Sequence, residues 1–389
     1  MSERYFAPCP RGLEPALAAE LTAQGAHLVG TTEGGVAFAG PLDLAYRVNL
    51  ESRLASRILW QVGAGRYRNE DDLYRLVQSI DWRKHFKVDR MLRVDVAATR
   101  SPLSSLEFAT LKIKDAVCDR FRADTGKRPS VDKQRPDVRV HAYLHERDAT
   151  IYLDTSGEPL FKRGWRKDAD VAPLRENLAA GLLSIAGWTP EAALLDPMCG
   201  AGTIAIEAAA IAADRAPGLQ RTFGFQKLAW FDGPTWQRLK QRARDRIRGA
   251  PPTPSIFASD VDVRAVERCT ANSVAAGVRE WVAVSEADVL ARSAPARSGV
   301  LIANPPYGVR LDDDAKLVAF YPRLGDALKQ HYAGWVAYLF SGDARLPKLI
   351  GLKPSRRTPL YNGAIECRLY RFEIVSGRPQ NRRSVERRE

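Results

Sequence analysis

The sequence has few of the side chains that bind metals or form disulfides. The five cysteines are Cys9, Cys118, Cys199, Cys269 and Cys367. They are scattered and odd in number, without the paired spacing of a zinc site or a disulfide framework. Of the five histidines, His141 and His145 have no third ligand nearby in the sequence. We therefore expect reduced thiols and no metal site.

Long apolar runs are also missing. No segment approaches the roughly 20 unbroken apolar residues of a membrane span, and the first residues lack the apolar region of a signal peptide. We therefore expect a cytoplasmic protein with no membrane partner. The chain has 389 residues, 45% of them hydrophobic. This length exceeds the usual limit of about 250 to 300 residues for a single core, so two or three domains are expected.

Positive charge is in excess. Lysine and arginine total 59 against 46 acidic residues, a formal net charge of +13, which favours a polyanionic partner. A basic stretch at 234–249 fits a solvated amphipathic helix, and the basic residues after Ser376 fit a disordered tail. The loop 217–232 mixes aromatic residues with cations. It either clamps a single-stranded base or anchors itself to the core.

The segment Asn304-Pro305-Pro306-Tyr307 follows an apolar strand and carries the clearest chemical signal. An amino group on a purine is a poor nucleophile, because its lone pair is delocalised into the ring. The Asn304 carboxamide oxygen and the Pro305 carbonyl can accept both amino hydrogens, while the Tyr307 ring stacks on the base. The prolines hold these carbonyls rigidly. The segment therefore indicates methyl transfer to a base, although a simple turn has the same composition.

A second apolar run, ending at Asp196-Pro197, leads through Gly200 and Gly202 to a predicted helix at Thr203. The two glycines let the backbone approach a ligand, and the helix N-terminus offers free N–H groups. A carboxylate at Asp196 would repel a pyrophosphate, whereas it would pair with the ammonium of S-adenosylmethionine. This argues against a nicotinamide cofactor. Cys199 lies in the same turn and is interpreted as a packing residue rather than a nucleophile.

Two more acids follow apolar runs. Asp260 is the candidate for the cofactor ribose, and it lies far beyond the position about 20 residues after the turn that a nicotinamide-binding fold would use. The long segment 214–254 intervenes. Asp288 ends another short run, where a carboxylate can accept a hydrogen bond from an adenine amino group. Each acid alone could be a helix cap or a turn residue, but one acid at each of three predicted strand ends favours ligand binding.

The first half of the sequence has a different periodicity. Residues 92–98 alternate as a half-buried strand, and a helix is predicted to open at Ser101-Pro102. Residues 138–155 form a predicted hairpin with Arg139, His141, Tyr143 and His145 on its polar face. This half is predicted to be a small α/β RNA-binding unit, preceded by another small α/β module.

The segments 153–166, 172–180, 196–203 and 304–311 together resemble the THUMP-domain class I RNA methyltransferases, most closely the bacterial large-subunit rRNA guanine-N(2) methyltransferases. The resemblance implies an α/β protein in which ferredoxin-like and THUMP domains precede a doubly wound, Rossmann-like methyltransferase sheet. The implied boundaries are 1–62 for the ferredoxin-like domain, 63–156 for THUMP, 157–188 for a linker and helix, 189–376 for the methyltransferase domain and 377–389 for a basic disordered tail.

The resemblance also implies a cofactor, a target and a set of residue roles. The cofactor is S-adenosyl-L-methionine, and the target is a guanine 2-amino group in 23S rRNA or a large-subunit assembly intermediate. The implied cofactor residues are Asp196, Pro197, Gly200, Gly202, Thr203, Asp260, Asp288 and Asn304. The implied catalytic residues are Asn304, Pro305, Pro306 and Tyr307. Because the sequence has one catalytic domain, only the guanine-N(2) activity is implied.

Three alternatives stay open at this stage. They are a tRNA guanine-N(2) methyltransferase, a DNA adenine methyltransferase, which the THUMP-like half disfavours, and a non-catalytic RNA-binding assembly factor. Oligomeric state does not follow from the sequence, and a monomer is the default expectation.

Overall fold

The computed structural model describes residues 2–166, 174–306 and 311–375, without the side chains of 311–315. Tyr307, the tail 377–389 and part of the predicted linker 157–188 lie outside these ranges. Within them the chain forms two compact units. The first contains Met1–Ile185, Ala210–Gly249 and Tyr361–Gly363, and the second contains Ala186–Ala209, Ala250–Leu360 and Ala364–Glu389. No helix in the described ranges is long and apolar enough to cross a membrane.

The strands of the described residues are β1 (Glu3–Pro8), β2 (His27–Thr32), β3 (Gly35–Gly40), β4 (Leu59–Arg66), β5 (Leu92–Thr99), β6 (Val138–His145), β7 (Asp148–Asp154), β8 (Leu194–Asp196), β9 (Ile256–Asp260), β10 (Val282–Glu286), β11 (Gly299–Ala303), β12 (Trp335–Ser341), β13 (Arg356–Asn362) and β14 (Ile365–Glu373). The helices are α1 (Glu14–Ala23), α2 (Leu44–Glu51), α3 (Glu70–Gln78), α4 (Leu106–Thr125), α5 (Glu176–Ala186), α6 (Thr203–Ala212), α7 (Gly233–Asp245), α8 (Val263–Ala276), α9 (Leu311–His331) and α10 (Leu346–Leu349).

The first unit is built on one seven-stranded sheet in the order β2-β3-β1-β4-β7-β6-β5. The element order β1-α1-β2-β3-α2-β4 with this pairing is the ferredoxin-like arrangement. Strand β4 pairs with β1 on one side and with β7 on the other, both antiparallel, so it joins the two predicted modules into a continuous sheet. Among the described strands of this sheet, only β5 and β6 run parallel.

Helix α4 shows how the local sequence sets the element bounds in this unit. The Ser105 hydroxyl accepts a hydrogen bond from the Phe108 backbone N–H at 3.1 Å, and Gly126 ends the helix with φ of +73°. The predicted start at Ser101-Pro102 was therefore too early, because Ser105 is the cap. The buried stripe of Ala109, Ile113, Val117 and Phe121 agrees with the predicted helical face.

The long segment between α6 and β9 packs in the first unit through its aromatic residues. Phe223, Phe225 and Trp236 are buried, and the Trp230 ring stacks on Tyr46 of α2 with centroids 5.1 Å apart. The Tyr46 hydroxyl accepts a hydrogen bond from the Asp232 N–H at 2.7 Å. These rings therefore anchor the segment, and the base-clamp interpretation of the loop 217–232 is not supported.

Arg221 of the same loop is also structural. Its guanidinium donates to the backbone carbonyls of Ser156, Glu158, Pro159 and Lys162 at 2.5 to 3.2 Å. Burial lowers the pKa of Arg221 to about 10. A guanidinium occupied by carbonyls in this way cannot also serve an RNA phosphate.

The second unit is a doubly wound sheet in the order β10-β9-β8-β11-β12-β14-β13. Strands β8 to β12 are parallel, and β14 joins β12 antiparallel. Leu194 and Leu195 of β8 and Leu301 to Ala303 of β11 are fully buried, as central parallel strands require. The strand order reverses between β8 and β11. Ligands of such sheets bind at the carboxyl ends of the strands beside this reversal.

Candidate functional site at the carboxyl edge of the parallel sheet

The glycine-rich turn after β8 lies against α8. Gly200 and Gly202 have φ of +53° and +83°, the left-handed region that favours glycine. A Cβ atom added to Gly202 would lie 2.5 Å from the Cys269 Sγ atom of α8. The Asn272 side-chain amide donates to the Ala201 carbonyl at 3.0 Å. The turn is therefore held close to α8, and it leads into α6 at Thr203.

Asp196, the last residue of β8, is 1% exposed, and its Oδ1 atom has no hydrogen-bond partner among the described residues. Burial raises the pKa of Asp196 to about 8, with a further contribution from the nearby Asp260 charge. An unpaired buried carboxylate oxygen is costly unless a ligand satisfies it. The adjacent Pro197 is buried as well.

Asp260, the last residue of β9, holds the glycine-rich turn in place. Its Oδ2 atom accepts a hydrogen bond from the Gly200 N–H at 2.9 Å, and its Oδ1 atom accepts one from the Asp262 N–H at 3.0 Å. Each carboxylate oxygen has two lone pairs, so both can accept a further donor. The structure thus places Asp260 beside the turn that the sequence grouped with it.

Asp288 lies two residues beyond β10, at the same edge of the sheet. It is exposed, and its Oδ1 atom accepts a hydrogen bond from the Leu290 N–H at 2.9 Å. Since β10 follows β9 in the sheet order, Asp288, Asp260 and Asp196 follow three adjacent strands. The three acids that the sequence predicts at strand ends therefore lie along the same edge of the sheet.

The Asn-Pro-Pro segment follows β11, on the other side of β8. The Asn304 Oδ1 atom is buried and has no hydrogen-bond partner among the described residues. Pro305 is buried, whereas Pro306 is exposed and its carbonyl accepts a hydrogen bond from the Tyr321 hydroxyl at 3.2 Å. The Tyr321 contact ties the segment to α9. Tyr307, the predicted stacking residue, lies outside the described residues.

Ser259 was missed by the sequence analysis. It is fully buried in β9, and its Oγ atom has no hydrogen-bond partner among the described residues. Three unpaired buried oxygens thus lie at or beside the carboxyl ends of neighbouring strands. They belong to Asp196 of β8, Ser259 of β9 and Asn304 after β11. A hydroxyl in the apolar run next to Asp260 was the available signal for this residue.

Cys199 does not have the surroundings of a nucleophile. The neighbouring Cys269 thiol and burial raise the pKa of Cys199, and Asp196 and Asp260 add to this effect. The thiolate, which is the nucleophilic form, is therefore disfavoured. Cys199 instead packs beneath the turn, as the sequence analysis expected.

Family models match the chain in three successive regions. The RlmL ferredoxin-like domain matches residues 4–59, the THUMP domain matches 67–154, and the RMKL-like methyltransferase domain matches 163–371. The last match covers more than half of the chain. This chain belongs to the RMKL-like methyltransferase family. The resemblance inferred from the motifs and the predicted fold class are both confirmed.

Relatives of this RMKL-like methyltransferase include ribosomal RNA large subunit methyltransferase K/L of Methylococcus capsulatus, 43% identical over 97% of this chain and 52% of that protein. A candidate RNA methyltransferase of Synechocystis sp. is 39% identical over 95% of this chain and 96% of its own length. Among solved structures, the candidate methyltransferase SMU.472 complexed with SAH superimposes with a TM-score of 0.87, at 28% identity over 97% of this chain and 99% of that one. The chain spans about half the length of the K/L relatives.

Proposed function

We propose that this methyltransferase transfers a methyl group from S-adenosyl-L-methionine to the 2-amino group of a guanine in 23S rRNA, giving N(2)-methylguanosine. The observation that carries the proposal is the row of unpaired buried oxygens of Asp196, Ser259 and Asn304 beside the glycine-rich turn. Such acceptors fit a ligand that brings N–H and O–H donors to the edge of the sheet. The names of the K/L relatives and the THUMP match support RNA as the substrate.

The residues at this edge fit S-adenosylmethionine. In the proposal the unpaired Oδ1 of Asp196 accepts the ammonium of the methionine part, and Gly200 and Gly202 let the backbone approach it. Pro197 and Thr203 border the same turn. Asp260 accepts the ribose hydroxyls, and Asp288 accepts the adenine amino group. Val261, which is 70% exposed directly after Asp260, offers an apolar surface for the adenine ring.

The target base is held by the Asn-Pro-Pro-Tyr segment in this proposal. The Asn304 Oδ1 atom and the Pro305 carbonyl accept the two amino hydrogens, and Tyr307 stacks on the guanine. The cofactor supplies an electrophilic methyl group, so the amino lone pair forms an N–C bond as the S–C bond breaks, and the amine then releases one proton. The methylated amine is very acidic, so no strong general base is needed. Placement of the two reactants accounts for most of the rate.

The test is methyl transfer from labelled S-adenosylmethionine into 23S rRNA and, in parallel, into bulk tRNA, each lacking its modifications, with nucleoside analysis. The proposal predicts N(2)-methylguanosine in 23S rRNA alone, formed about 10²- to 10³-fold more slowly by the Asn304→Ala protein. Label in tRNA alone would contradict the proposed substrate. Label in a different nucleoside would contradict the proposed target atom.

A further inference from the structure

Helix α7 and the residues that follow it carry a group of exposed cations. We name Arg238, Lys240, Arg242, Arg244 and Arg248 the α7 basic face. All but the half-buried Lys240 are exposed, and the described part of the chain offers none of the five a carboxylate within salt-bridge distance. The neighbouring Asp245 is occupied by the Gln241 side-chain amide at 2.7 Å. Arg238 donates to the Thr235 hydroxyl at 2.6 Å and lies near the Asp232 charge, and Lys240 lies over the Trp236 ring. The positive charge of Arg242, Arg244 and Arg248 therefore has no carboxylate partner among the described residues.

The helix that presents this face is firmly anchored. Trp236 is buried against Phe225, with ring centroids 5.1 Å apart, and the Asp232 side chain caps the helix N-terminus. Arg246 forms ion pairs with Glu51 of α2 and with Asp214, the latter at 3.2 Å. The anchor thus uses Arg246 and the aromatic rings. Among the described residues, Arg242, Arg244 and Arg248 of the α7 basic face pair with no acid of the anchor, whereas Arg238 lies near Asp232.

Helix α4 of the same unit has as many acids as cations and differs in this respect. Its four cations all have carboxylate partners: Lys112 with Asp71 at 2.9 Å, Lys114 with Asp115 at 2.6 Å, Arg120 with Asp124 at 2.8 Å and Arg122 with Asp119 at 3.5 Å. The cations of α4 are therefore neutralised by acids of α4 itself and, for Lys112, of α3. The α7 basic face departs from that pattern over two turns of helix and the residues beyond.

We propose that the α7 basic face is a docking surface for the phosphate backbone of RNA. The guanidinium groups of Arg242, Arg244 and Arg248, which have no carboxylate partner among the described residues, match a polyanionic backbone. The proposal rests on the proposed function in taking RNA as the partner. It adds a backbone contact made by the segment between α6 and β9.

The test compares two triple variants of the full chain. One is Arg242→Gln, Arg244→Gln and Arg248→Gln. The matched control is Lys162→Gln, Lys329→Gln and Arg368→Gln, which lie outside the THUMP match and each have a carboxylate partner at 2.7 to 3.1 Å. Affinity for unmodified 23S rRNA transcript is measured from 50 to 300 mM salt. Each phosphate contact adds about 0.7 to 0.9 to the slope of log affinity against log salt. We therefore expect the α7 variant to lose about 2 to 3 units of slope and about 10- to 100-fold in affinity at 0.1 M salt.

The remaining expectations separate this inference from the proposed function. The control variant should stay within about threefold of wild type in affinity, and the α7 variant should keep its turnover number at saturating RNA. An unchanged slope in the α7 variant, or an equal loss in both variants, would overturn the inference while methylation by the wild type stands. If the slope of log affinity against log salt depended on α7 but the wild type transferred no methyl group, the inference would be supported and the proposed function contradicted. Binding to phosphatidylserine vesicles that depends on α7, with RNA affinity intact, would assign the face to a membrane surface instead.

Discussion

Asn49 in the first unit and Asn304 in the second are two asparagines with a buried side-chain oxygen, and they differ in whether that oxygen has a hydrogen-bond partner. The Asn49 amide donates to the Ala45 carbonyl and to the Thr155 hydroxyl, both at 2.8 Å, and its Oδ1 atom accepts from the Ser156 hydroxyl at 2.6 Å. The Asn304 Oδ1 atom has no partner within the described residues. The first arrangement is what stability requires, and the second is what a ligand site requires. Burial of a polar group therefore does not by itself distinguish a structural asparagine from one at a ligand site.

The largest expected effect is on catalysis. Asn304→Ala should lower the turnover number about 10²- to 10³-fold, the size seen when one preorganised polar group at a reacting centre is removed. The dissociation constant of S-adenosylmethionine should change far less, and the free energy of unfolding should not fall, because no internal hydrogen bond is lost. Single-turnover methyl transfer and cofactor titration measure the two quantities. Equal losses in both would count against the assigned role.

The matched substitution should do the opposite. Asn49→Ala leaves the Thr155 and Ser156 hydroxyls with fewer partners, so the free energy of unfolding should fall by about 3 kcal/mol. Turnover below the new melting temperature should match that of the wild type. Urea unfolding followed by fluorescence measures the first quantity. If the two alanine variants lost stability to the same degree, the distinction between satisfied and unsatisfied asparagines would fail.

Asp260→Ala comes next in size. Loss of hydrogen bonds to a charged acceptor should raise the cofactor dissociation constant about 10- to 100-fold, with little effect on turnover at saturating cofactor. Asp262→Ala is the control, since that carboxylate lies two residues away and accepts from the Arg264 N–H at the start of α8. Unchanged cofactor binding in the Asp260 variant, measured by calorimetry, would remove Asp260 from the site.

The smallest effect concerns pH. The pKa of Asp196 is raised to about 8. Between the ordinary pKa of an aspartate and pH 8, the folded protein without ligand therefore keeps a proton on Asp196 that the unfolded chain has lost. Its free energy of unfolding falls as the pH rises through that range. An ammonium ligand favours the ionised carboxylate, so binding of S-adenosylhomocysteine should release a proton and tighten up to about tenfold from pH 6 to pH 7. Asp196→Asn should flatten this dependence. A steep dependence retained in the variant would assign it to another group.

The grouping of the candidate site residues at one edge of the sheet was largely predictable because its signals are local. Glycine at positive φ, proline after a strand and an acid at each strand end are imposed by the backbone and can be seen in the sequence. Ser259 escaped notice because a buried hydroxyl is ordinarily satisfied, and only the fold shows that it is not. The loop 217–232 could not be resolved from sequence, because aromatic residues beside cations suit both stacking on a base and packing on a core. Tyr46, which decides between the two, is more than 170 residues away in the chain.

The most direct test of the account is a crystal structure of the full chain with S-adenosylhomocysteine. The account predicts the ligand ammonium within hydrogen-bond distance of the Asp196 Oδ1 atom and the ribose hydroxyls on Asp260, with the polar network around Asn49 unchanged. A ligand bound elsewhere, with Asp196 and Asn304 still unpaired, would contradict the claim that unsatisfied buried oxygens mark the site.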